Sequence, residues 1–168
     1  MAQVTLEQAA ALCFCFRMYT NLRDYSPVVL ALRPVLDNLP GKIVAIGGGL
    51  AAGKTTLGRY LAYHFNISLI ETDLFRLKNK AGRLSYRNEA LADAIASRVD
   101  RQYPRPVIVE SAVILRVLSD IGRPADYYIH VISDDEVDVI DSDERADVAL
   151  YDAEYAPRER ANLLVHFP

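Results

Sequence analysis

The chain has 168 residues, of which 51% are hydrophobic, and its formal net charge at pH 7 is -3. This length suits one domain with a sizeable core, and the slight acidic excess argues against a general nucleic-acid binder. The first residues lack the pattern of a signal peptide, and no apolar run approaches the ~20 residues of a membrane span. We therefore expect a cytoplasmic protein with neither nucleic acid nor a membrane as its partner.

The first 40 residues predict two helices that precede the main domain. Apolar side chains recur at helical spacing over residues 5–20, and a Ser-Pro pair is a typical start for a second helix over 26–38. The Leu-Pro-Gly that follows breaks the chain. We interpret residues 1–40 as an N-terminal helical extension and residues 41–168 as the main domain. The apolar side chains of the extension leave a homodimer open.

The main domain alternates short apolar segments with helices. Two helices are predicted over residues 55–65 and 85–102. Segments that are apolar along their whole length predict buried strands at 43–46, 67–70, 107–109, 128–132 and 163–167. Such strands are typical of a parallel sheet covered on both faces. The predicted fold class is therefore α/β, a three-layer αβα arrangement around a five-stranded parallel sheet.

The segment between the first strand and the helix after it fits the pattern G-x-x-x-x-G-K-[ST]. Glycines let successive backbone N–H groups converge on phosphates, Lys54 reaches the β- and γ-phosphates, and the Thr55 hydroxyl is suited to bind Mg²⁺. No guanine-recognition motif is present, so the sequence predicts ATP with Mg²⁺. The residues predicted to bind the nucleotide are Gly48, Gly49, Leu50, Ala51, Ala52, Gly53, Lys54, Thr55 and Thr56.

Two carboxylates follow apolar strands of the predicted sheet. Asp73 comes after the second strand and Glu110 ends the third. Ligands of such sheets bind at the carboxyl ends of the strands, so both side chains are expected near the phosphates. Asp73 is suited to take a proton from an acceptor hydroxyl or to help hold Mg²⁺, and Glu110 to hold the metal. The predicted metal ligands are Thr55, Asp73 and Glu110.

Four segments together resemble the small P-loop kinases, nearest to the uridine kinase and phosphoribulokinase group, with dephospho-coenzyme A kinase close by. They read VAIGGGLAAGKTTLGRYLA, LIETDLFR, PVIVESAVIL and ADYYIHV, and the resemblance covers roughly residues 42–132. The resemblance implies the strand order 2-3-1-4-5, with Asp73 as the base that activates the acceptor and Glu110 as support for the metal. Ser111 departs from this group, which usually has glycine there.

The segment after the fourth strand also departs from that group. Such kinases close an arginine-bearing lid over the phosphates at this point, whereas residues 133–160 read SDDEVDVIDSDERADVALYDAEYAPRER. Acidic side chains repel a triphosphate. We therefore interpret the segment as a solvated acidic helix and loop that replaces a reduced or lost lid.

Positive charge is concentrated instead directly after Asp73, where residues 76–87 read RLKNKAGRLSYR. We hypothesise that Arg76, Arg83 or Arg87 binds an anionic acceptor or supplies the cation that stabilises the transferring phosphoryl group. The alternative is an ordinary solvated basic loop.

These features predict an ATP-dependent kinase that acts on a hydroxyl group of a small metabolite, and the basic segment leaves an anionic metabolite open. Lys54, Asp73, Arg76 and Arg83 are the predicted catalytic residues. Two alternatives stay open. An Asp-aromatic-Arg segment after the second strand also resembles 5'-hydroxyl polynucleotide kinases and zeta-type toxin kinases, and the acidic segment is compatible with an ATP-binding switch that has no turnover.

Overall fold

The computed structural model describes residues 24–77, 83–134 and 142–167, and these residues form six α-helices and a five-stranded sheet. The helices are α1 (Ser26–Leu36), α2 (Lys54–Phe65), α3 (Asn88–Val99), α4 (Ile114–Asp120), α5 (Ser142–Tyr155) and α6 (Pro157–Arg160), and a 3-10 turn covers Thr72–Phe75. The strands are β1 (Ile43–Gly48), β2 (Ser68–Glu71), β3 (Val107–Glu110), β4 (Tyr127–Ser133) and β5 (Leu163–Phe167). No helix in these ranges is long and apolar enough to cross a membrane. The helix predicted over 5–20 lies outside the described residues.

The sheet has the strand order β2-β3-β1-β4-β5, and every neighbouring pair is parallel. The predicted fold class and strand order are confirmed. Glu110 at the end of β3 pairs with Ile46 of β1 on one side and with Glu71 of β2 on the other. The segments that follow these three strands therefore leave the sheet at the same edge.

Most element boundaries differ from the sequence-based prediction by one to three residues, and two of these differences bear on the site. β1 continues to Gly48, because its two glycines stay in register with β4. Helix α3 is shorter than predicted, at Asn88–Val99. The residues before it are extended instead, and Tyr86 forms an antiparallel bridge with Arg76.

Helices cover both faces of the sheet, and each face has its own core. Leu32 of α1 and Leu61 of α2 are fully buried in one core. Leu91 of α3, Val117 of α4 and Tyr151 of α5 are buried in the other. These apolar contacts explain why the strands are apolar along their whole length, as expected for a sheet buried on both sides.

Helix α1 belongs to the predicted N-terminal extension, yet it packs on the sheet. Tyr25, which precedes it, meets Phe167 of β5 edge-on, with ring centroids 5.5 Å apart. The buried side of α1 shares one core with β1 and β4. The division of the chain at residue 40 stays a prediction.

Candidate functional site

The loop between β1 and α2 requires glycine at both of its ends. Gly48 has φ +141°, and a Cβ there would lie 2.2 Å from the carbonyl oxygen of Val131. Gly53 has φ 85° and precedes the first residue of α2. Both backbone conformations are ones that side chains with a Cβ rarely adopt. The chain thus turns from β1 directly into α2, whose first N–H groups lack helical partners and suit an anion.

Lys54 is the first residue of α2, and its side chain is drawn into the site. Only 8% of the residue is exposed, and its Nζ donates a hydrogen bond to the carbonyl oxygen of Gly49 at 2.6 Å. Burial lowers the pKa of Lys54, while the negative charges of Glu110 and Asp73 act in the opposite direction. The lysine is therefore a buried cation with two carboxylates nearby.

Thr55 and Glu110 place two oxygens side by side. The Thr55 hydroxyl donates to Oε1 of Glu110 at 3.1 Å. Burial raises the pKa of Glu110, and the Lys54 charge and the Thr55 hydrogen bond oppose that rise. A hydroxyl next to a carboxylate fits the oxygen ligands that Mg²⁺ takes in proteins. Within the described ranges no group of three or more His, Cys, Asp and Glu could hold a metal, so phosphate or water oxygens would have to complete this ligand set.

A single cleft of about 310 Å³ brings most of the predicted site together. The predicted residues that line it are Leu50, Ala51, Gly53, Lys54, Thr55, Thr56, Asp73, Arg76 and Glu110. Gly48 and Ala52 are buried in the fold instead, and Gly49 is exposed. The loop between β1 and α2, the turn after β2 and the end of β3 thus share one cavity.

Asp73 lies in the 3-10 turn that follows β2. Arg87 holds this turn, because its Nη2 donates to the carbonyl oxygen of Leu74 at 2.7 Å. Its guanidinium carbon also lies 5.9 Å from the centre of the Phe75 ring. Arg87, which the sequence offered as a contact for the acceptor, is thus engaged with the turn that carries Asp73.

Arg76 lines the cleft and forms an ion pair with Glu144 in the first turn of α5. Glu144 lines the same cleft. The acidic segment therefore contributes a carboxylate to the site. Sequence reasoning did not single out Glu144, because nothing distinguishes one carboxylate of an acidic run from the next.

Arg83 does not line this cleft. It lines a neighbouring groove together with Arg116 of α4 and Asp147 of α5. Arg116 and Asp147 form a buried, bidentate ion pair, with Nη1 to Oδ1 at 2.9 Å and Nη2 to Oδ2 at 2.6 Å. The pair also binds the main chain of Leu84, whose N–H donates to Asp147 at 2.9 Å. The acidic helix is therefore not wholly solvated, which corrects that part of the prediction.

Tyr86 and Ser111 are further cleft residues that the sequence did not assign to the site. Their hydroxyl oxygens lie 3.2 Å apart, and both residues are buried. Burial raises the pKa of Tyr86. The position of Ser111 directly after Glu110 is the signal that could have identified it. Tyr86 lines the cleft and bridges Arg76, and the sequence gives no signal for that bridge.

Comparison with protein-family models and with curated proteins gives no match. Among solved structures, the chain is similar to a possible uridine kinase from Bacillus stearothermophilus, with a TM-score of 0.59 and 14% identity over 87% of this chain and 100% of that one. A sugar kinase from Janibacter sp. HTCC2649 matches with a TM-score of 0.46 and 15% identity, over 76% of this chain and 86% of that one. A shikimate kinase from Bacteroides thetaiotaomicron matches with a TM-score of 0.42 and 17% identity, over 73% and 84%.

The strand order and the first of these similarities agree on the architecture. The chain has the fold of the P-loop kinases, a parallel five-stranded sheet between helical layers. Similarity at this level of identity establishes the fold and not the reaction.

Proposed function

We propose that the protein transfers the γ-phosphoryl group of Mg-ATP to a hydroxyl group of a small metabolite. One observation carries the proposal: a single cleft contains a lysine at a helix N-terminus, a paired hydroxyl and carboxylate, and a separate exposed carboxylate. These are Lys54, the Thr55–Glu110 pair and Asp73. Phosphoryl transfer needs charge stabilisation, a metal site and a group that accepts the acceptor's proton, and this set can supply all three.

Nucleotide binding would use the loop between β1 and α2. The N–H groups at the start of α2 face the phosphates, and Lys54 exchanges the Gly49 carbonyl oxygen for phosphate oxygens. Thr55 and Glu110 would hold Mg²⁺. When bound, the metal would neutralise negative charge on the β- and γ-phosphates.

Asp73 is the group we assign to the acceptor. Its carboxylate takes the proton of the acceptor hydroxyl as the acceptor oxygen bonds to the γ-phosphorus. The bond from that phosphorus to the β-phosphate oxygen breaks, and ADP leaves. Arg87 supports this role, because it holds the turn that carries Asp73.

The test is acceptor-stimulated release of ADP from Mg-ATP. The panel contains nucleosides, sugars, pantetheine compounds and 5'-hydroxyl oligonucleotides, offered to the parent, Lys54→Ala and Asp73→Asn. We expect at least one small acceptor to stimulate release from the parent and neither variant to respond. Asp73→Asn should still bind ATP, whereas Lys54→Ala should bind it weakly. Asp93→Asn, at an exposed position of α3, is the matched control and should behave as the parent.

Three outcomes would contradict the proposal. Stimulation by oligonucleotides alone would favour a polynucleotide kinase. Tight ATP binding without release by any acceptor would favour a binding switch. Full activity of Asp73→Asn would remove Asp73 as the base and leave the reaction without the proton acceptor assigned here.

A further inference from the structure

We call the part of the cleft that is not assigned to the nucleotide or its metal the acceptor end, and it contains an ion pair that phosphoryl transfer does not itself require. The residues that line it are Asp73, Arg76, Leu84, Tyr86, Ser111, Ala112 and Glu144. Arg76 and Glu144 pair across the cleft between the segment after β2 and the first turn of α5. Their side chains are 40% and 23% exposed. The backbone of Arg76 is fixed by its bridge to Tyr86, so the pair joins two defined elements.

The charges of the cleft divide between its two ends. Among the described residues that line it, Lys54 and Arg76 are cationic, and Asp73, Glu110 and Glu144 are anionic. We assigned Lys54 and Glu110 to the nucleotide and its metal. The acceptor end is then left with one cation that already has a carboxylate partner, and with Asp73. An anionic acceptor would meet two carboxylates there and would have to displace one of them from the arginine.

Among the described residues, the remaining wall of the acceptor end is uncharged. Leu84 and Ala112 contribute apolar surface, and Tyr86 and Ser111 contribute hydroxyl groups. Hydroxyls that both donate and accept hydrogen bonds suit a molecule with several hydroxyl groups, and the apolar surface suits its ring or carbon face.

We propose that Glu144 is a specificity-determining residue: by holding Arg76, it makes the cleft select uncharged hydroxyl compounds over phosphorylated or carboxylated ones. This inference rests on the proposed phosphoryl transfer. It departs from the anionic acceptor hypothesised from the basic segment at residues 76–87. Among the described residues of that segment, Arg76 is the cation that lines the cleft, and a carboxylate is already paired with it.

The first experiment compares a matched pair of acceptors. One is the uncharged acceptor found in the panel above, and the other is its phosphate monoester with the reacting hydroxyl still free. Glu144→Gln should raise kcat/KM for the ester relative to the uncharged compound by about fivefold to tenfold, a moderate change because the ion pair is partly exposed. Glu154→Gln, at an exposed position of the same helix, should leave the ratio at its parental value.

The double variant Arg76→Gln, Glu144→Gln tests whether the effect acts through the arginine. It should lose the gain that Glu144→Gln alone shows. An unchanged ratio in Glu144→Gln, or a gain that persists without Arg76, would overturn the inference.

A second measurement does not depend on turnover. Inorganic phosphate is titrated by calorimetry or NMR into the protein saturated with a non-hydrolysable Mg-ATP analogue. Glu144→Gln should bind phosphate several times more tightly than the parent, and the double variant should not. The two claims can fail separately. If no acceptor is phosphorylated, the proposed function is wrong. If the parent and Glu144→Gln bind phosphate with equal affinity, the role of Glu144 is wrong. If the analogue does not bind, the same titration in a Lys54→Ala background removes the contribution of the phosphate loop.

Discussion

At the scale of single residues, the loop between β1 and α2 depends on Gly48 far more than on Gly49. A Cβ at Gly48 would lie 2.2 Å from a backbone oxygen of β4, at a φ of +141°. Gly48→Ala should therefore lower the free energy of unfolding by about 3 kcal/mol, because neither the strand nor the backbone oxygen can move away cheaply. Urea unfolding followed by circular dichroism measures this.

Gly49→Ala is the control for that substitution. A Cβ at Gly49 meets nothing within 4 Å. Gly49→Ala should therefore lower the free energy of unfolding by no more than about 0.5 kcal/mol. If both variants lost a similar free energy of unfolding, the close packing of Gly48 of β1 against β4 would not be what determines the loop conformation.

His130 makes the stability of the fold depend on pH. It is 4% exposed, and its Nδ1 lies 2.8 Å from the hydroxyl of Tyr128. Burial, together with the charges of Arg158 and Lys54, lowers the pKa of His130 to about 4. The unfolded chain, with a histidine pKa near 6.5, takes up the proton first as the pH falls. The fold should keep its full stability above pH 6.5 and lose about 3 kcal/mol as the pH falls to 4.

Urea unfolding at several pH values between 7 and 4 tests this expectation for His130. His130→Asn keeps a hydrogen-bond acceptor near the Nδ1 position and should flatten the pH dependence over that window. His64→Asn, at an exposed position of α2, should leave the slope as in the parent. The same slope in all three proteins would exclude His130 as its source.

At the scale of elements, a buried ion pair connects α4 and α5 to the wall of the cleft. Arg116 and Asp147 bind each other and also the N–H and carbonyl oxygen of Leu84. Leu84 lines the cleft. Helix α5 thus helps to position that wall of the cleft. Asp147, one of its acidic residues, has a structural role there and is not only a solvated charge.

Arg116→Met should leave the Asp147 carboxylate buried without its cation and lower the free energy of unfolding by about 3 kcal/mol. Adding Asp147→Leu removes the uncompensated charge, so the double variant should be more stable than the sum of the two single losses predicts. Denaturant unfolding of all four proteins gives this comparison. Additive losses, or a stable Arg116→Met, would show that the pair contributes little.

Parts of the site whose residues lie close together in the sequence could be predicted, and most of the parts whose residues lie far apart in the sequence could not. The residues from Gly48 to Thr55 are consecutive, so their spacing alone predicted the loop. Glu110 could be placed near them because parallel strands end at one edge of a sheet. Glu144 lies 68 residues from Arg76, and Asp147 lies 31 residues from Arg116. Periodicity shows which helices are acidic, but it does not show which carboxylate of an acidic run meets a given arginine.

At the scale of the whole molecule, α1 packs against the hydrophobic core on one face of the sheet. Leu32 is fully buried there, whereas Leu30 in the same helix is 61% exposed. Leu32→Ala should cost about 3 kcal/mol through the lost contacts and the cavity, with one cooperative transition for the whole fold. Leu30→Ala should cost less than about 0.5 kcal/mol.

Thermal and urea unfolding of these two variants measures how firmly α1 belongs to the core. A separate early transition in Leu32→Ala, with the main transition unchanged, would support the division of the chain at residue 40. The sequence could not decide this point, because helical spacing shows that a helix has an apolar face but not which surface that face covers.

The strand order also has a consequence for the synthesis of the protein. β1 lies between β3 and β4, and Gly48 rests against the backbone of Val131. The loop between β1 and α2 is translated early, but β3 and β4, the two strands beside β1, are translated much later. A nascent chain released before β4 has emerged from the ribosome would therefore contain the complete loop sequence. Its loop would not be held in its folded conformation, because β4 would be missing. Such truncated chains should not be retained on immobilised ATP, although they contain every residue of the loop.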